Sequence, residues 1–313
     1  MGIMRLGHVN LCVMNIDEAI EHYVNILGLA LTHRDQDGTA YLKCWDEWDK
    51  YSVILSPSDR AGLDHFAFKV ERDDDLDVLA AKIKERGVAV EILPAGKLPM
   101  CGRSIRFHIP SGHVVCLFAE KEVVGTAVGN TNPDPWPDGL KGAGVHWLDH
   151  LGIVCPFDPE KGINKVAENA EFLQEVLDFK LTERGMVGPQ NDIMFVGFLT
   201  RTSTPHDIAC VPGPAVGLAH IAFFVEDWSA VLKAADVVAK ARKTPALTPN
   251  RHGLTRGATF YMFDPSGNKN ETFAGIGYLA QPDRPLVTWT EDELDRGLFF
   301  LGGGDKSFVD SYT

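Results

Sequence analysis

The sequence predicts an α+β protein made of two copies of one domain, each copy built from two β-α-β-β-β modules. Two similar nine-residue segments, Gly62–Val70 and Gly217–Val225, lie 155 positions apart, and so do two Pro-Ser-Gly turns at 110–112 and 265–267. A repeat of this length is typical of a duplicated domain and is much longer than the unit of a solenoid. The chain is also long enough for about two domains of ordinary size.

The first copy is expected to occupy residues 1–120. It starts with a strand at 6–14, followed by a helix that begins at Asp17 and ends at Gly28, because Asp favours a helix start and Gly a helix end. The remaining elements are predicted to be three short strands near 29–34, 39–45 and 51–57, a strand at 62–70, a helix at 75–86 and a hairpin of 104–109 with 113–120.

A linker is predicted at 121–146, where Pro133, Pro135, Pro137 and several glycines interrupt regular structure. The second copy, 147–274, is expected to repeat the order of the first, and 275–313 is interpreted as a C-terminal extension at the surface or at an interface. The predicted elements of the second copy are strands at 147–154, near 179–184, 193–200 and 206–211, and at 217–225, helices at 164–177 and 229–240, and a hairpin at 258–274.

The composition excludes several classes of partner. The chain has 43 acidic against 30 basic residues and a formal charge of −13, which argues against nucleic-acid binding. No apolar run approaches the roughly 18 residues of a membrane span, and no signal-like pattern stands at the N-terminus. The six cysteines are scattered without a C-x-x-C pair, as is usual in a reduced compartment. We therefore expect a cytoplasmic protein without nucleic-acid or membrane partners.

Three residues of the second copy have the side chains of a metal site. His150 lies on its first predicted strand, His220 on the Gly-Leu strand, and Glu271 on the last strand. A carboxylate in an otherwise apolar strand needs a metal ion or a salt bridge, because an unpaired buried charge is costly. Two neutral imidazoles and one carboxylate form the triad that leaves one face of Fe(II) open in non-haem oxygenases. A single His, or Glu271 alone, would have an ordinary structural explanation.

The first copy is an internal control for this triad. His8 and His65 are retained, but Cys116 stands at the position that corresponds to Glu271. A thiol between Val115 and Leu117 is more typical of a small core residue than of a ligand. We therefore expect the second copy alone to bind metal.

The segment 250–271 gathers further candidates. His252 lies in a loop that contains glycine, Tyr261 lies on a predicted strand, and Asp264-Pro265-Ser266-Gly267 is a turn sequence. A hairpin at this turn would bring His252, Tyr261 and Glu271 toward one region. Taken alone, His252 could orient a turn and Tyr261 could belong to the core.

At these residues the sequence resembles the type I extradiol catechol 2,3-dioxygenases of the vicinal-oxygen-chelate superfamily. The resemblance covers nearly the whole chain and is most specific from His252-Gly253 through Tyr261 and 264–268 to Glu271. Further matches are found in three places: 5–9, Asn132-Pro133 with Trp136-Pro137 in the linker, and 286–290. The resemblance implies that each pair of modules forms a partly open β-barrel. It also implies a homotetramer.

The resemblance assigns roles to six residues. His150, His220 and Glu271 would be the ligands of Fe(II). The same ligand set suits Mn(II), so the expectation of Fe(II) over Mn(II) rests on the family. His206 would be the active-site histidine that stabilises reduced dioxygen and carries a proton. His252 and Tyr261 would bind the substrate on its two sides.

The implied reaction is cleavage of a catechol ring next to its two hydroxyls by dioxygen, in the degradation of aromatic compounds. The products would be 2-hydroxymuconic semialdehydes. The apolar residues near the site suggest a single ring with at most small alkyl or halogen substituents; they are Ile193, Met194, Phe195, Phe198 and Phe273. Two alternatives use the same modules: a glyoxalase-like metal-dependent isomerase or lyase, and a non-enzymatic sequestration protein, although the latter would not need Glu271.

Overall fold

The first domain is an eight-stranded sheet with two helical segments. The computed structural model describes residues 2–304 and 306–313, with the side chain of Lys306 left aside. The strands are β1 (Ile3–Val13), β2 (Ala30–Arg34), β3 (Ala40–Lys43), β4 (Val53–Pro57), β5 (Gly62–Val70), β6 (Val90–Leu93), β7 (Ser104–His108) and β8 (Val114–Phe118). The helices are α1 (Ile16–Glu21), which continues as a π-helical turn (His22–Leu27), and α2 (Asp73–Glu85).

The second domain repeats this order. Its strands are β9 (Leu148–Asp158), β10 (Ile163–Asn164), β11 (Lys180–Val187), β12 (Ile193–Thr200), β13 (Ile208–Gly213), β14 (Gly217–Phe224), β15 (Pro245–Arg251), β16 (Ala258–Phe263), β17 (Lys269–Ala274) and β18 (Val287–Trp289). Its helices are α3 (Lys165–Leu177), α4 (Trp228–Lys240), α5 (Leu294–Leu298) and α6 (Lys306–Asp310), with 3-10 turns at Pro159–Lys161 and Glu291–Glu293. No helix in the described part of the chain is both long and apolar enough to cross a membrane.

The strand order confirms the predicted modules. The first sheet runs β2-β3-β4-β1-β5-β8-β7-β6, so that its two modules meet where β1 pairs with β5 in antiparallel fashion. The second sheet runs β15-β16-β17-β14-β9-β13-β12-β11-β18, with β9 and β14 as the matching central pair. The structure adds β6 and β15, which complete the second module of each domain. Both are the terminal strands of their modules.

The first helix differs from the prediction at its start. Asn15, not Asp17, is the N-cap, and its side chain accepts a hydrogen bond from the backbone N–H of Glu18. Asp17 lies in the first turn, where a negative charge favours the helix dipole. The predicted end is confirmed, because Gly28 adopts φ +99°, which the left-handed region allows glycine at little cost.

The interior of the first domain is filled. Tyr41, Tyr51, Leu98 and Phe118 form a buried cluster on the face of the sheet that also carries Cys116. In the second domain the corresponding cluster is smaller and contains Val196, Phe198, Ala209 and Leu254. The second domain therefore keeps a cavity where the first has side chains.

The two Pro-Ser-Gly turns lock the domains together. The backbone N–H of Ser111 donates to Asn169 Oδ1 on α3 over 2.9 Å. In the opposite direction Asn268, which is fully buried, accepts from Gly62 N at 2.9 Å and donates to Cys12 O at 3.1 Å. Asn169 thus satisfies a backbone group of the first turn, Asn268 satisfies two backbone groups of the first domain, and the hairpin that carries Glu271 is fixed against the first domain.

The substitution Asn268→Ala tests this contact. It leaves the buried Gly62 N–H without its partner and removes a hydrogen bond to the half-buried Cys12 C=O, so we expect the free energy of unfolding to fall by about 2–4 kcal/mol. Denaturant unfolding measures the change. The control is Asn25→Ala at an exposed position, which should leave stability within about 0.5 kcal/mol. Equal stability of both variants would contradict the locking role.

Candidate metal centre

Three neighbouring strands bring the predicted triad together. Strand β14 lies between β9 and β17, and its Ala222 pairs with His150 on one side and with Glu271 on the other. His220 lies two residues before Ala222, on the same face of β14. The ligand-type atoms of His150, His220 and Glu271 all lie within 4.8 Å of one another, the one such group of three or more in the described part of the chain.

The carboxylate of Glu271 is surrounded by imidazoles. Glu271 Oε2 lies 3.2 Å from His150 Nε2 and 3.3 Å from His220 Nε2. Its Oε1 lies 3.7 Å from His252 Nε2 and accepts a hydrogen bond from the hydroxyl of Thr259. Glu271 is 1% exposed, so water does not screen its charge.

Neighbouring carboxylates fix the orientation of His150. Its Nδ1 donates to Asp149 Oδ2 at 2.8 Å, and Asp149 Oδ1 accepts from Trp147 Nε1 at 3.0 Å. In the neutral ring the lone pair of Nε2 therefore points toward Glu271. A carboxylate that orients the second nitrogen of a histidine is the usual support of a metal ligand.

This donor set fits a divalent cation. Burial lowers the pKa of His220 to about 3, so this imidazole is neutral, and its Nε2 is buried without a hydrogen-bond partner. Burial disfavours charge on His150, but hydrogen bonds to Asp149 and Glu271 outweigh this and raise its pKa to about 9. A proton thus compensates Glu271 in the free protein, and a metal ion would displace that proton.

The structure places His206 against the triad. Its ring centroid is 3.9 Å from that of His150 and 5.1 Å from that of Phe198. Burial, together with the neighbouring His150, holds the pKa of His206 well below its usual range. Its Nδ1 is buried and has no hydrogen-bond partner in the protein. A neutral imidazole with an unused nitrogen therefore lies beside the centre.

His252 and Tyr261 form a hydrogen-bonded pair on the other side of Glu271. His252 Nδ1 donates to the carbonyl oxygen of Leu298 at 2.5 Å, so Nε2 of the neutral ring is an acceptor. The hydroxyl of Tyr261 donates to this Nε2 at 3.0 Å. All six predicted site residues thus border one cavity of about 110 Å³.

The rest of the cavity is mainly apolar. Of the predicted pocket residues, Phe195, Phe198 and Phe273 line it, whereas Ile193 and Met194 do not. The segment after 275 closes another side with Leu298, Phe299, Phe308 and Val309. Phe308 contacts Tyr261 at 4.8 Å between ring centroids. The segment interpreted as an extension is therefore part of the cavity wall.

Sequence reasoning missed one residue that makes room for the triad. Gly152 lies opposite His220 on β9, and a Cβ at this position would come within 2.6 Å of the His220 ring. The glycine therefore leaves space for the His220 imidazole beside β9. The sequence did offer a signal for this role, because Gly152 lies two residues after His150 on the same predicted strand.

The first domain satisfies its two histidines without a metal. The ammonium of Lys121 lies 3.1 Å from His8 Nδ1 and 4.1 Å from the centroid of the Tyr51 ring. Since Lys121 donates to Nδ1, the neutral His8 ring donates from Nε2 to His65 Nε2 at 3.2 Å, and His65 Nδ1 donates to Asp64 at 2.6 Å. Neither ring has a lone pair left for a metal, which favours a metal-free first copy.

Comparison with known proteins adds to this geometry. Residues 63–122 match the family described as Catechol 2,3-dioxygenase-like N-terminal domain, and 147–272 match the Glyoxalase/Bleomycin resistance protein/Dioxygenase superfamily. Metapyrocatechase from Pseudomonas sp. strain CF600 is 40% identical over 96% of this chain and 94% of that protein. The chain belongs to the metapyrocatechase family of extradiol dioxygenases. The duplicated domains are thus of the vicinal-oxygen-chelate type.

Solved structures of extradiol dioxygenases have the same fold. The 2,3-dioxygenase LapB from Pseudomonas sp. KL28 superposes with a TM-score of 0.87 at 39% identity, over 94% of this chain and 99% of that one. Homoprotocatechuate 2,3-dioxygenase from Arthrobacter globiformis has a TM-score of 0.85 at 24% identity, over 99% of this chain and 92% of that one, which concerns the fold alone. Another relative, at 27% identity over 96% of this chain and 94% of that protein, is the manganese-dependent 2,3-dihydroxybiphenyl 1,2-dioxygenase of Geobacillus genomosp. 3. The glyoxalase-like alternative is not favoured by these near full-length relatives.

The substitution Glu271→Gln tests the donor set. The amide removes the negative charge that compensates a cation, so we expect metal affinity to fall by more than the roughly 10–100-fold that loss of an outer hydrogen-bond partner costs. The readout is bound Fe(II) or Mn(II) per chain after anaerobic loading and gel filtration. A matched control is the substitution Glu183→Gln. Glu183 is another buried carboxylate of this domain, and it accepts hydrogen bonds from Thr255 N, the Tyr278 hydroxyl and Trp289 Nε1. Loss of metal in the control alone would place the metal elsewhere.

Proposed function

We propose that this protein cleaves catechol, or a catechol with a small alkyl or halogen substituent, next to its vicinal hydroxyls with dioxygen. The product would be a 2-hydroxymuconic semialdehyde. The observation that carries the proposal is the buried Glu271 carboxylate with His150 and His220 at 3.2 and 3.3 Å, beside a cavity that His206 also borders. Family membership at 40% identity to a metapyrocatechase supports the same reaction.

Fe(II) is the metal that we propose for the triad. Two imidazoles and one carboxylate also suit Mn(II), and one relative is manganese-dependent, so the donor set alone does not favour either metal. When bound, the metal would supply Lewis-acid sites for both catechol oxygens and for dioxygen, and the means to transfer electrons between them. Asp149 would keep His150 turned toward it through the 2.8 Å hydrogen bond to Nδ1.

His206 is the residue that we propose to move a proton near the dioxygen position. It is neutral at working pH because burial lowers its pKa, and its Nδ1 has no protein partner. A neutral imidazole can accept a proton from one reactant and return it to another. The rings of His150 and Phe198 hold it in place at centroid distances of 3.9 and 5.1 Å.

His252 and Tyr261 would bind a substrate oxygen. The Tyr261 hydroxyl donates to His252 Nε2, and a lone pair of the phenol oxygen would accept a hydrogen bond from a catechol hydroxyl. A proton that leaves the catechol would then have His252 as an acceptor one hydrogen bond away. The carbonyl of Leu298 keeps His252 in the tautomer that this role needs.

The walls of the cavity support a substrate with one ring. Phe195, Phe198, Val211 and Leu254 offer apolar surface for a ring face, and the volume of about 110 Å³ leaves little space for a second ring. The homotetramer and the cytoplasmic location stay predictions. The six cysteines are free thiols, as a reducing compartment would require.

The test is a reaction with catechol and air after anaerobic loading with Fe(II). The wild-type protein should consume one dioxygen per catechol and form a yellow product, whereas Glu271→Ala should lose activity by at least about 1000-fold because it lacks a ligand. The control Cys116→Ala, at the equivalent position of the first domain, should keep its activity. Bound iron without dioxygen uptake from any catechol would overturn the proposal and favour the isomerase.

A further inference from the structure

The loop that carries His206 is organised by one buried carboxylate. Residues 201–207 connect β12 with β13, and Asp207 directly follows His206. Asp207 Oδ2 accepts from the backbone N–H of Arg201 at 2.6 Å and from that of Thr202 at 3.3 Å. It also accepts from the hydroxyl of Thr200 at 3.1 Å, while Oδ1 accepts from the hydroxyl of Thr202 at 3.0 Å. A single side chain thus binds three residues at the start of the loop.

Hydroxyl groups extend this network back to His206. Since the Thr202 hydroxyl donates to Asp207, the single proton of the Thr204 hydroxyl goes either to the Thr202 oxygen at 2.9 Å or to the carbonyl oxygen of His206 at 3.4 Å. On the opposite side the Thr182 hydroxyl donates to the carbonyl oxygen of Pro205. The backbone after the start of the loop is therefore held partly by Thr204, next to Asp207's partner Thr202, and partly by Thr182 of β11.

The carboxylate is costly to keep at this position. Asp207 is 3% exposed, and no Lys or Arg side chain lies within ion-pair distance of it in the described part of the chain. Burial raises its pKa to about 6, although the N–H of Arg201 and the two Thr hydroxyls oppose the rise. Hydrogen bonds from the loop and from Thr200 are therefore the groups that compensate this charge.

One side of the loop borders an open space between the two domains. Thr202, Thr204 and Asp207 line a cavity of about 340 Å³ between the two domains, together with Asp149 and residues of the first domain such as Arg5. The ring of His206 packs against His150 and Phe198, and its neighbours Thr204 and Asp207 border this space. Without the hydrogen bonds of Asp207 the loop would have room to shift toward the cavity.

We propose that Asp207 is a positioning residue that holds the His206 imidazole against His150. The inference rests on the proposed function, because it concerns how far His206 can serve the reaction. Asp207 does not border the cavity of the triad, so it acts through the backbone of the loop. A shift of about 1 Å in a proton-transferring group costs up to about 100-fold in rate.

The main test is a double-mutant cycle of Asp207→Asn, His206→Asn and the variant with both changes, each loaded with Fe(II) and corrected for bound iron. Asp207→Asn removes the negative charge and so weakens the hydrogen bonds from the N–H groups of Arg201 and Thr202, and we expect kcat to fall about 10–100-fold with little change in the KM of catechol. In the His206→Asn background the same change should cost less than about 3-fold, because the loop then has no imidazole to position.

A second readout does not depend on turnover. Amide hydrogen exchange at 201–206 should become faster in Asp207→Asn than in the wild type, whereas exchange in β9 should not change. The matched control is Asp75→Asn, a buried carboxylate in the first domain that accepts from Arg72 N and should leave kcat unchanged. If Asp207→Asn does not fold, Thr202→Val is the substitute, because it removes the hydrogen bond to Oδ1 and the contact with Thr204. We expect a smaller loss of kcat and a smaller increase of exchange at 201–206 in this variant.

The outcomes separate the two proposals. Equal losses from Asp207→Asn with and without His206 would overturn the positioning role, and so would unchanged exchange at 201–206. Wild-type kcat in His206→Asn would instead overturn the proposed role of His206. In that case faster exchange at 201–206 would still support Asp207 as the residue that orders the loop.

Discussion

The architecture of the second domain depends on the charge of one carboxylate. Glu271 is buried on a central strand, and the groups nearest to it are imidazole nitrogens and the Thr259 hydroxyl. A negative charge in such a place needs a cation, which a proton on His150 supplies in the free protein and a metal ion would supply in the loaded one. Asp149 orients His150 for either case, and Gly152 leaves space for His220.

The two domains surround their paired histidines with different groups. Both keep a pair of histidines on the central strands, at His8 with His65 and at His150 with His220. In the first domain the ammonium of Lys121 is the internal cation, and aromatic side chains fill the space where a substrate would lie. The first domain in turn supports the second, because it holds the turn at Asn268 from which the strand of Glu271 starts.

The duplication could be predicted from the sequence because two pairs of similar segments share an offset of 155, and the strands of the second copy then carry His150, His220 and Glu271. The roles proposed for His206, His252 and Tyr261 came from the family resemblance, and the structure brings all three beside the triad. The strands β6 and β15 could not be predicted, since both end their modules and lack the alternation of a half-buried strand. Strand β15 contains Pro245 and Pro249, which only a terminal strand tolerates. The roles of Lys121 and Asp207 depend on contacts between distant segments. No spacing along the chain contains that information.

X-ray absorption at the metal edge of the Fe(II)-loaded protein tests the central claim most directly. If the buried Glu271 carboxylate and the imidazoles of His150 and His220 hold the ion, the spectrum should show nitrogen and oxygen neighbours, with scattering from two imidazole rings. A sulfur neighbour would contradict the account, because it would point to Cys116 and the first domain. Scattering from three or more imidazoles would contradict it as well, since Glu271 would then not be needed as a ligand.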